Sequence, residues 1–225
     1  MIIAIDGPSG AGKSTLGKML AKKLGLLYLD TGAMYRAVAL ASVRAKVGFD
    51  EKERVAAVAE RAKIELIGEP DSLQVFLDGD DVTAEIRTLE IAQAASVVST
   101  NSEVRKVMVR HQREIGNAAP SGCVLEGRDI GSVVFPDADI KFFLTAKPEA
   151  RARRRFEEDK TKGRLSTYEQ TLVEINQRDE RDVSRADSPL MIADDAVVID
   201  TSELDLSEVF DEMLAKINEQ KASAA

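Results

Sequence analysis

The sequence contains very little cysteine and histidine, with one residue of each in 225. A single cysteine, Cys123, excludes an internal disulfide and a zinc site built on cysteine spacing. Cys123 lies in an apolar run, so we interpret it as a small core residue. The only histidine, His111, stands among charged residues in a helical pattern, which favours a surface position. A serine–histidine–acid triad is therefore not expected.

The sequence also lacks a long apolar run and an excess of positive charge. No segment approaches membrane-spanning length, and the start has no basic region followed by a long apolar stretch, so we expect a cytoplasmic protein. The net charge of −8 argues against a general affinity for nucleic acid. In so acidic a chain, arginines gathered in a few segments suggest a local anionic ligand, although charged helix faces explain most such runs.

The most informative motif follows the first apolar run, Met1–Ile5. The next residues match the phosphate-loop pattern G-x-x-x-x-G-K-[ST] at every defined position. They are Gly7, Pro8, Ser9, Gly10, Ala11, Gly12, Lys13 and Ser14. A helical pattern follows them, so the backbone N–H groups form a phosphate-binding nest at a helix N-terminus. Lys13 is expected to reach the transferable phosphate, and Ser14 to hold Mg²⁺.

The apolar pattern predicts an α/β fold with a mainly parallel sheet covered on both faces. The five predicted core strands are residues 1–5, 26–29, 123–125, 140–144 and 197–199. Helices are predicted at about 13–24, 33–46, 51–62, 88–99, 102–117, 167–181 and 206–217, with a polar helix from Pro148 to a break near Gly163. Ser102 is a plausible N-cap.

A different pattern interrupts this alternation. Short strand-like runs occur at 64–67, 73–77 and 82–83, with a turn predicted at 78–81. We interpret this stretch as a small antiparallel insertion. In parallel sheets, ligands bind at the carboxyl ends of the strands. That edge would hold the phosphate loop, the segment from Asp30 to Gly32, the segment from Glu126 to Asp129, and Thr145.

Three sets of polar residues near that edge are candidates for binding. Arg36 either clamps a phosphate or pairs with a surface acid. Arg128 and Asp129 either bind a ligand, through phosphate oxygens and an exocyclic amine, or form a structural pair with each other. The third set is rich in arginine and reads equally well as a salt-bridged helix face. It comprises Arg151, Arg153, Arg154, Arg155, Arg164, Arg178, Asp179, Arg181, Asp182 and Arg185.

These segments together resemble the bacterial cytidylate kinases. The resemblance rests on the phosphate loop through Thr15, and on the stretches 30–36, 126–136 and 178–182, and it covers almost the whole chain. It implies a P-loop fold with strand order 2-3-1-4-5 and a single kinase domain over residues 1–225. It also implies a monophosphate-binding insertion at about 33–100, with its antiparallel part at about 63–84, and a mobile helical lid at about 148–165.

The resemblance further implies phosphoryl transfer from ATP, with Mg²⁺, to CMP or dCMP in pyrimidine metabolism. The implied base contacts are Ser96, Arg105 and Asp129, and Arg178 and Asp182 would contact the sugar. Arg36, Arg128 and Arg185 would hold the acceptor phosphate, with Thr31 and Tyr35 in the same site. Arg151, Arg154 and Arg155 would close on the donor phosphates. Asp30 is a second candidate for Mg²⁺, acting through water, and the protein is expected to be a monomer.

Other functions remain open at this point. The nearest is a kinase of the same fold for another small acceptor, such as UMP, a different nucleotide or a shikimate-like alcohol. A nucleotide-switch protein is a weaker alternative, because the chain has no Asn-Lys-x-Asp stretch and its third core strand ends in Glu126-Gly127 rather than in a clear aspartate. A non-catalytic binding module is weaker still, because Lys13 and the lid arginines are present.

Overall fold

The structure is a computed structural model that describes residues 1–161 and 163–223. The chain divides into two compact units, one comprising Met1–Leu20 and Glu126–Ala225 and the other Ala21–Leu125. Within the described ranges, no helix is long and apolar enough to cross a membrane. Lys162, which belongs to the predicted lid, lies outside the described residues.

A five-stranded sheet forms the centre of the fold. Its strands are β1 (Ile2–Asp6), β2 (Leu27–Asp30), β6 (Cys123–Glu126), β7 (Ile140–Thr145) and β8 (Val197–Asp200). The order across the sheet is β2-β6-β1-β7-β8, which is 2-3-1-4-5 when these strands alone are counted. Strand β1 pairs in parallel with β7, and β7 pairs in parallel with β8. The predicted fold class and strand order are therefore confirmed.

The strands form where short apolar runs are buried on both faces. Ile3, Ala4 and Ile5 of β1 are fully buried, as are the central residues of β6. Such continuous apolar runs suit a parallel strand covered by helices. Cys123 is also fully buried, and burial raises the pKa of its thiol to about 12, as expected for an inert core residue.

Four α-helices lie wholly or partly among the described residues of the first unit. They are α1 (Lys13–Leu24), which begins here and continues into the second unit, α6 (Pro148–Thr161), α7 (Tyr168–Ser184) and α8 (Leu206–Ser223). Thr167 caps α7 through a capping box with Gln170, so this helix begins close to the predicted position. It runs past the predicted end at Arg181, and Arg185 lies just beyond its last turn. A π-helical turn at Ile130–Val134 was not predicted.

The second unit contains the predicted insertion. Its helices are α2 (Thr31–Arg44), α3 (Lys52–Arg61), α4 (Leu89–Val98) and α5 (Ser102–Ala118). Its antiparallel sheet has the order β3-β4-β5, with β3 at Ile64–Ile67, β4 at Gln74–Leu77 and β5 at Asp80–Asp81. The antiparallel insertion is therefore confirmed.

Two local predictions in this unit are wrong. The turn is shorter than predicted, because Asp80 and Asp81 pair with β4 and the chain reverses at Asp78-Gly79, where both residues have positive φ. The N-cap of α5 is Asn101 rather than Ser102, because the Asn101 side chain accepts hydrogen bonds from the amides of Glu103 and Val104. Asparagine and serine are both good N-caps, so composition alone does not choose between adjacent positions.

Candidate functional site

The phosphate loop joins β1 to α1 in the first unit. At Gly7, φ is +141° and a Cβ atom would lie 2.0 Å from the carbonyl oxygen of Leu144, so only glycine fits. At Gly10, φ is +81° and a Cβ atom would lie 3.1 Å from that of Arg151. The loop leads directly into the first turn of α1, which begins at Lys13. The loop amides thus lie at the N-terminus of a helix, as the sequence pattern predicted.

Lys13 is buried in this loop, with 6% of its surface exposed. Its Nζ donates a 2.7 Å hydrogen bond to the carbonyl oxygen of Pro8. Burial, together with the positive charges of Arg128 and Arg178, lowers the pKa of Lys13 to about 7, although the negative charge of Glu126 opposes the shift. An anionic phosphate at this position would stabilise the protonated lysine. The local electrostatics therefore favour a bound anion.

A second cluster gathers around the carboxylate of Asp182. Arg128 donates from Nε to Oδ2 of Asp182 at 2.7 Å, and both side chains are largely buried. Burial alone would raise the pKa of Asp182, but Arg128, Arg178 and Arg185 lower it below its usual range. Three guanidinium groups thus act electrostatically on this one carboxylate. Guanidinium groups are well suited to binding phosphate oxygens.

This cluster answers one question that the sequence left open. Arg128 donates hydrogen bonds to Asp182 in α7 and to the carbonyl oxygen of Gly127. These two bonds do not pair Arg128 with its neighbour Asp129. Asp129 itself is buried, with 5% exposed. Arg185 acts electrostatically on Asp182 from just beyond the end of α7.

Asp6 was missed by the sequence analysis. It ends β1 immediately before the phosphate loop and is buried, with 5% exposed. Its two carboxylate oxygens accept hydrogen bonds from the amides of Ile130 and Gly131 at 2.8 and 2.7 Å. Burial raises the pKa of Asp6 to about 6, against the lowering effect of these two amides. An acidic residue closing an apolar strand is the signal that could have identified it.

Two of the predicted lid arginines, Arg151 and Arg154, have partners within the first unit. Arg151 is buried and donates to the carbonyl oxygens of Ala146 and Ser9 at 2.8 and 3.1 Å. It also forms a bidentate ion pair with Asp179 at 2.6 and 3.2 Å. These contacts connect the phosphate loop to α6 and α7. Arg154 donates to the side chain and the carbonyl oxygen of Thr201, and Arg155 is half-buried.

The second unit holds the remaining predicted residues. Asp30 caps α2, since one oxygen accepts from the amide of Ala33 at 2.8 Å and the other from Arg36 at 3.0 Å. The guanidinium carbon of Arg105 lies 5.7 Å from the centre of the Tyr35 ring, which is cation–π geometry.

Several buried side-chain atoms of this unit make no hydrogen bond. Among the residues that the structure describes, they include Nε of Arg36, Oγ of Ser96 and Nε2 of Gln112. Thr31 is buried in the first turn of α2. Buried polar atoms without protein partners are expected where a ligand supplies the missing contacts.

A divalent cation would find few protein ligands here. Ser14 is exposed at the start of α1, and its hydroxyl is a hard oxygen ligand. Both oxygens of Asp30 already accept hydrogen bonds, which makes it the weaker of the two predicted ligands. Among residues 1–161 and 163–223, no three His, Cys, Asp or Glu side chains gather to hold a metal. The donor set suits Mg²⁺ that reaches the protein with nucleotide phosphates.

Comparison with known proteins gives one consistent family. The family model described as cytidylate kinase matches residues 3–219. The cytidylate kinase of Caldanaerobacter subterraneus subsp. tengcongensis is 51% identical over 215 residues, covering 96% of this chain and 93% of the relative. The cytidylate kinase of Bacillus subtilis is 45% identical over 220 residues, covering 98% of this chain and 97% of the relative.

Solved structures support the fold. An uncharacterised protein from Eubacterium ventriosum superposes with a TM-score of 0.51 at 15% identity, covering 97% of this chain and 98% of that one. The protein TT1252 from Thermus thermophilus gives a TM-score of 0.50 at 17% identity, covering 98% of this chain and 97% of that one. At such identities the likeness concerns the architecture alone.

Proposed function

The chain belongs to the cytidylate kinase family, and from this premise we propose that it transfers the γ-phosphoryl group of ATP to CMP or dCMP. The products are ADP and CDP or dCDP. An oxygen of the acceptor phosphate attacks the γ-phosphorus, and the bond from that phosphorus to the β–γ bridging oxygen breaks. The observation that carries the proposal is the match of relatives at 51% and 45% identity over nearly the whole chain.

The donor is assigned to the phosphate loop of the first unit. Residues Gly7–Ser14 and Thr15 bind ATP through backbone amides, and Lys13 stabilises charge on the transferred phosphoryl group. The buried position of Lys13, and a pKa lowered to about 7 by burial, support this role. Arg154 and Arg155 of the lid meet the donor phosphates in the proposed closed state, and Arg151 is assigned there with its contact to Ser9.

The acceptor is assigned to three sets of residues that the family resemblance implies. Arg128, Arg185 and Arg36 bind its phosphate, and Arg178 and Asp182 bind its sugar, with Thr31 and Tyr35 in the same site. Ser96, Arg105 and Asp129 read the cytosine base. The guanidinium groups that act on Asp182 support the first assignment, and the unpartnered buried Oγ of Ser96 supports the last.

Mg²⁺ is proposed as the accompanying cation. Ser14 would hold it, with Asp30 as a second ligand through water, and the ion would neutralise charge on the donor phosphates. We also propose that the protein acts as a cytoplasmic monomer. Size-exclusion chromatography with light scattering tests the monomer against the 24.5 kDa chain mass, and cell fractionation tests the location.

A coupled ADP-release assay tests the function. Purified protein is supplied with ATP and Mg²⁺, and then with CMP, dCMP, UMP, AMP, GMP or shikimate at equal concentration. The expected result is rapid ADP formation with CMP and dCMP and little with the others. Equal ADP release with and without CMP would support the nucleotide-switch alternative, and a preference for UMP or shikimate would support a different acceptor.

A further inference from the structure

The carboxylate of Asp6 is the long-range cap of the π-helical turn Ile130–Val134. The first amides of any helical turn have no acceptor within the turn itself. Here the amides of Ile130 and Gly131 donate to separate oxygens of Asp6, at 2.8 and 2.7 Å, from more than 120 positions away in sequence. The remaining bonds are internal, since the amides of Val133 and Val134 donate to the carbonyl oxygen of Asp129 at 2.9 and 3.1 Å.

The turn is held on a second side by Lys141 of β7. A Cβ atom at Gly131 would lie 3.0 Å from Cδ and 3.1 Å from Cγ of Lys141, so the lysine stem packs directly against the glycine. The Lys141 ammonium is itself fixed, because it donates to Asp195 at 2.7 Å. Asp6 therefore sets the backbone of the turn while Lys141 limits its movement.

The residues immediately before this turn are Arg128 and Asp129. Arg128 reaches Asp182 through a 2.7 Å hydrogen bond, and Asp129 has non-helical backbone angles of φ −147° and ψ 26° at the start of the turn. The next residue, Ile130, is the first whose amide donates a hydrogen bond to Asp6.

We propose that Asp6 is a positioning residue for the acceptor nucleotide, because it fixes the backbone from which Arg128 and Asp129 project. The inference rests on the proposed function, since it assigns those two residues to the acceptor. Asp6 is suited to the task because a carboxylate offers two acceptors to two adjacent amides and forms strong, charge-assisted bonds. The charged groups that influence it electrostatically are Asp129 and Lys13.

The test is Asp6→Asn, which keeps the size of the side chain but replaces one acceptor with an NH₂ group that faces an amide. We expect the KM for CMP to rise about tenfold and the preference for CMP over UMP in kcat/KM to narrow, because one charge-assisted bond is lost and the turn shifts. The KM for ATP should stay within about twofold, because the phosphate-loop amides are not bonded to the Asp6 side chain.

The matched control is Asp139→Asn. Asp139 also binds a backbone amide of β1, that of Ile2 at 2.5 Å, but at the opposite end of the strand. Its kinetic constants should equal those of the parent. If Asp6→Asn does not fold, Gly131→Ala provides the second test, because its methyl group pushes the turn from the Lys141 side and should also raise the KM for CMP alone.

Other outcomes would overturn the inference. A changed KM for ATP with an unchanged KM for CMP would mean that Asp6 acts on Lys13 and the phosphate loop. Unchanged kinetics with lower thermal stability in Asp6→Asn would mean that Asp6 only stabilises the fold. Normal CMP kinetics in Gly131→Ala would mean that the position of the turn does not affect acceptor binding. A parent protein that does not phosphorylate CMP refutes the proposed function itself, whereas an active parent with normal Asp6→Asn kinetics refutes only the role of Asp6.

Discussion

At the residue scale, the phosphate loop keeps a cation where water hardly reaches it. Lys13 is 6% exposed, and burial lowers its pKa to about 7 from an ordinary value of 10.5. A group whose folded pKa is lowered in this way contributes stability above its unfolded pKa and loses that contribution as the pH falls through its folded pKa. The destabilisation caused by burying Lys13 therefore builds up as the pH falls from 10.5 towards about 7, and it is greatest below pH 7 in the nucleotide-free protein.

Replacing Lys13 should accordingly separate activity from stability. Lys13→Met should lower kcat at least about 100-fold, because charge stabilisation on the transferred group is lost. In the absence of nucleotide, the Tm of Lys13→Met minus the Tm of the parent should be larger at pH 6 than at pH 9. Steady-state kinetics and thermal denaturation measure the two effects, with the exposed Lys23→Met on the same helix as control. Near-normal turnover would contradict the role assigned to Lys13.

Asp129 offers a residue-scale test of base selection. Its carboxylate is expected to accept a hydrogen bond from the 4-amino group of cytosine, whereas uracil would present a carbonyl. Two facing acceptors in a partly dry site cost about 1–3 kcal/mol. Asp129→Ala should therefore lower kcat/KM for CMP sharply and leave that for UMP almost unchanged. An unchanged CMP-to-UMP ratio would mean that Asp129 does not read the base.

At the element scale, the N-terminal turn of α6 is held by buried contacts, whereas the rest of the helix belongs to the lid that is predicted to move. Arg151, in its first turn, is 3% exposed and joins the carbonyl oxygen of Ser9 to the carboxylate of Asp179. Removing one partner of a buried pair leaves the other charge uncompensated. Arg151→Ala should lower the free energy of unfolding by about 3 kcal/mol in urea denaturation. Arg54→Ala, which breaks an exposed pair with Glu51, should change it by less than about 1 kcal/mol.

Arg154, three positions further along the same helix, tests the proposed lid. If it meets charge that develops during transfer, Arg154→Ala should lower kcat on the order of 100-fold with little change in the KM for CMP. Arg153→Ala, at an exposed neighbouring position, should behave as the parent does. A raised KM for CMP with normal kcat would instead assign Arg154 to the acceptor.

The elements also show how far the sequence is informative. The five core strands and the phosphate loop were predictable because burial on both faces demands continuous apolar runs and the loop demands glycine at positions such as Gly7. The partner of Arg128 could not be predicted, because Asp182 lies 54 positions away in sequence and the pairing depends on how α7 packs. Asp6 was missed for the same reason: its acceptor role exists only once β1 and the turn at Ile130 are neighbours.

At the scale of the whole molecule, family membership and local geometry support one another through different evidence. The relatives cover nearly all of the chain, which supports the reaction, while the buried cations around Lys13 and Asp182 explain why anions would bind. The net charge of −8 makes these cationic clusters local exceptions in an acidic protein. Binding of two nucleotides to the folded state alone should therefore stabilise the whole chain by mass action.

The buried thiol of Cys123 provides a built-in probe of how often the protein opens. It is the only cysteine, it is fully buried in β6, and burial raises its pKa to about 12, so a thiol reagent reacts only when that strand opens. One reactive group per chain gives a single labelling rate without mutation. Saturating CMP and a non-hydrolysable ATP analogue at about 100 times their Kd should slow labelling up to about 100-fold per ligand if opening is global. Labelling that ignores both ligands would reveal that β6 opens locally, without release of the nucleotides.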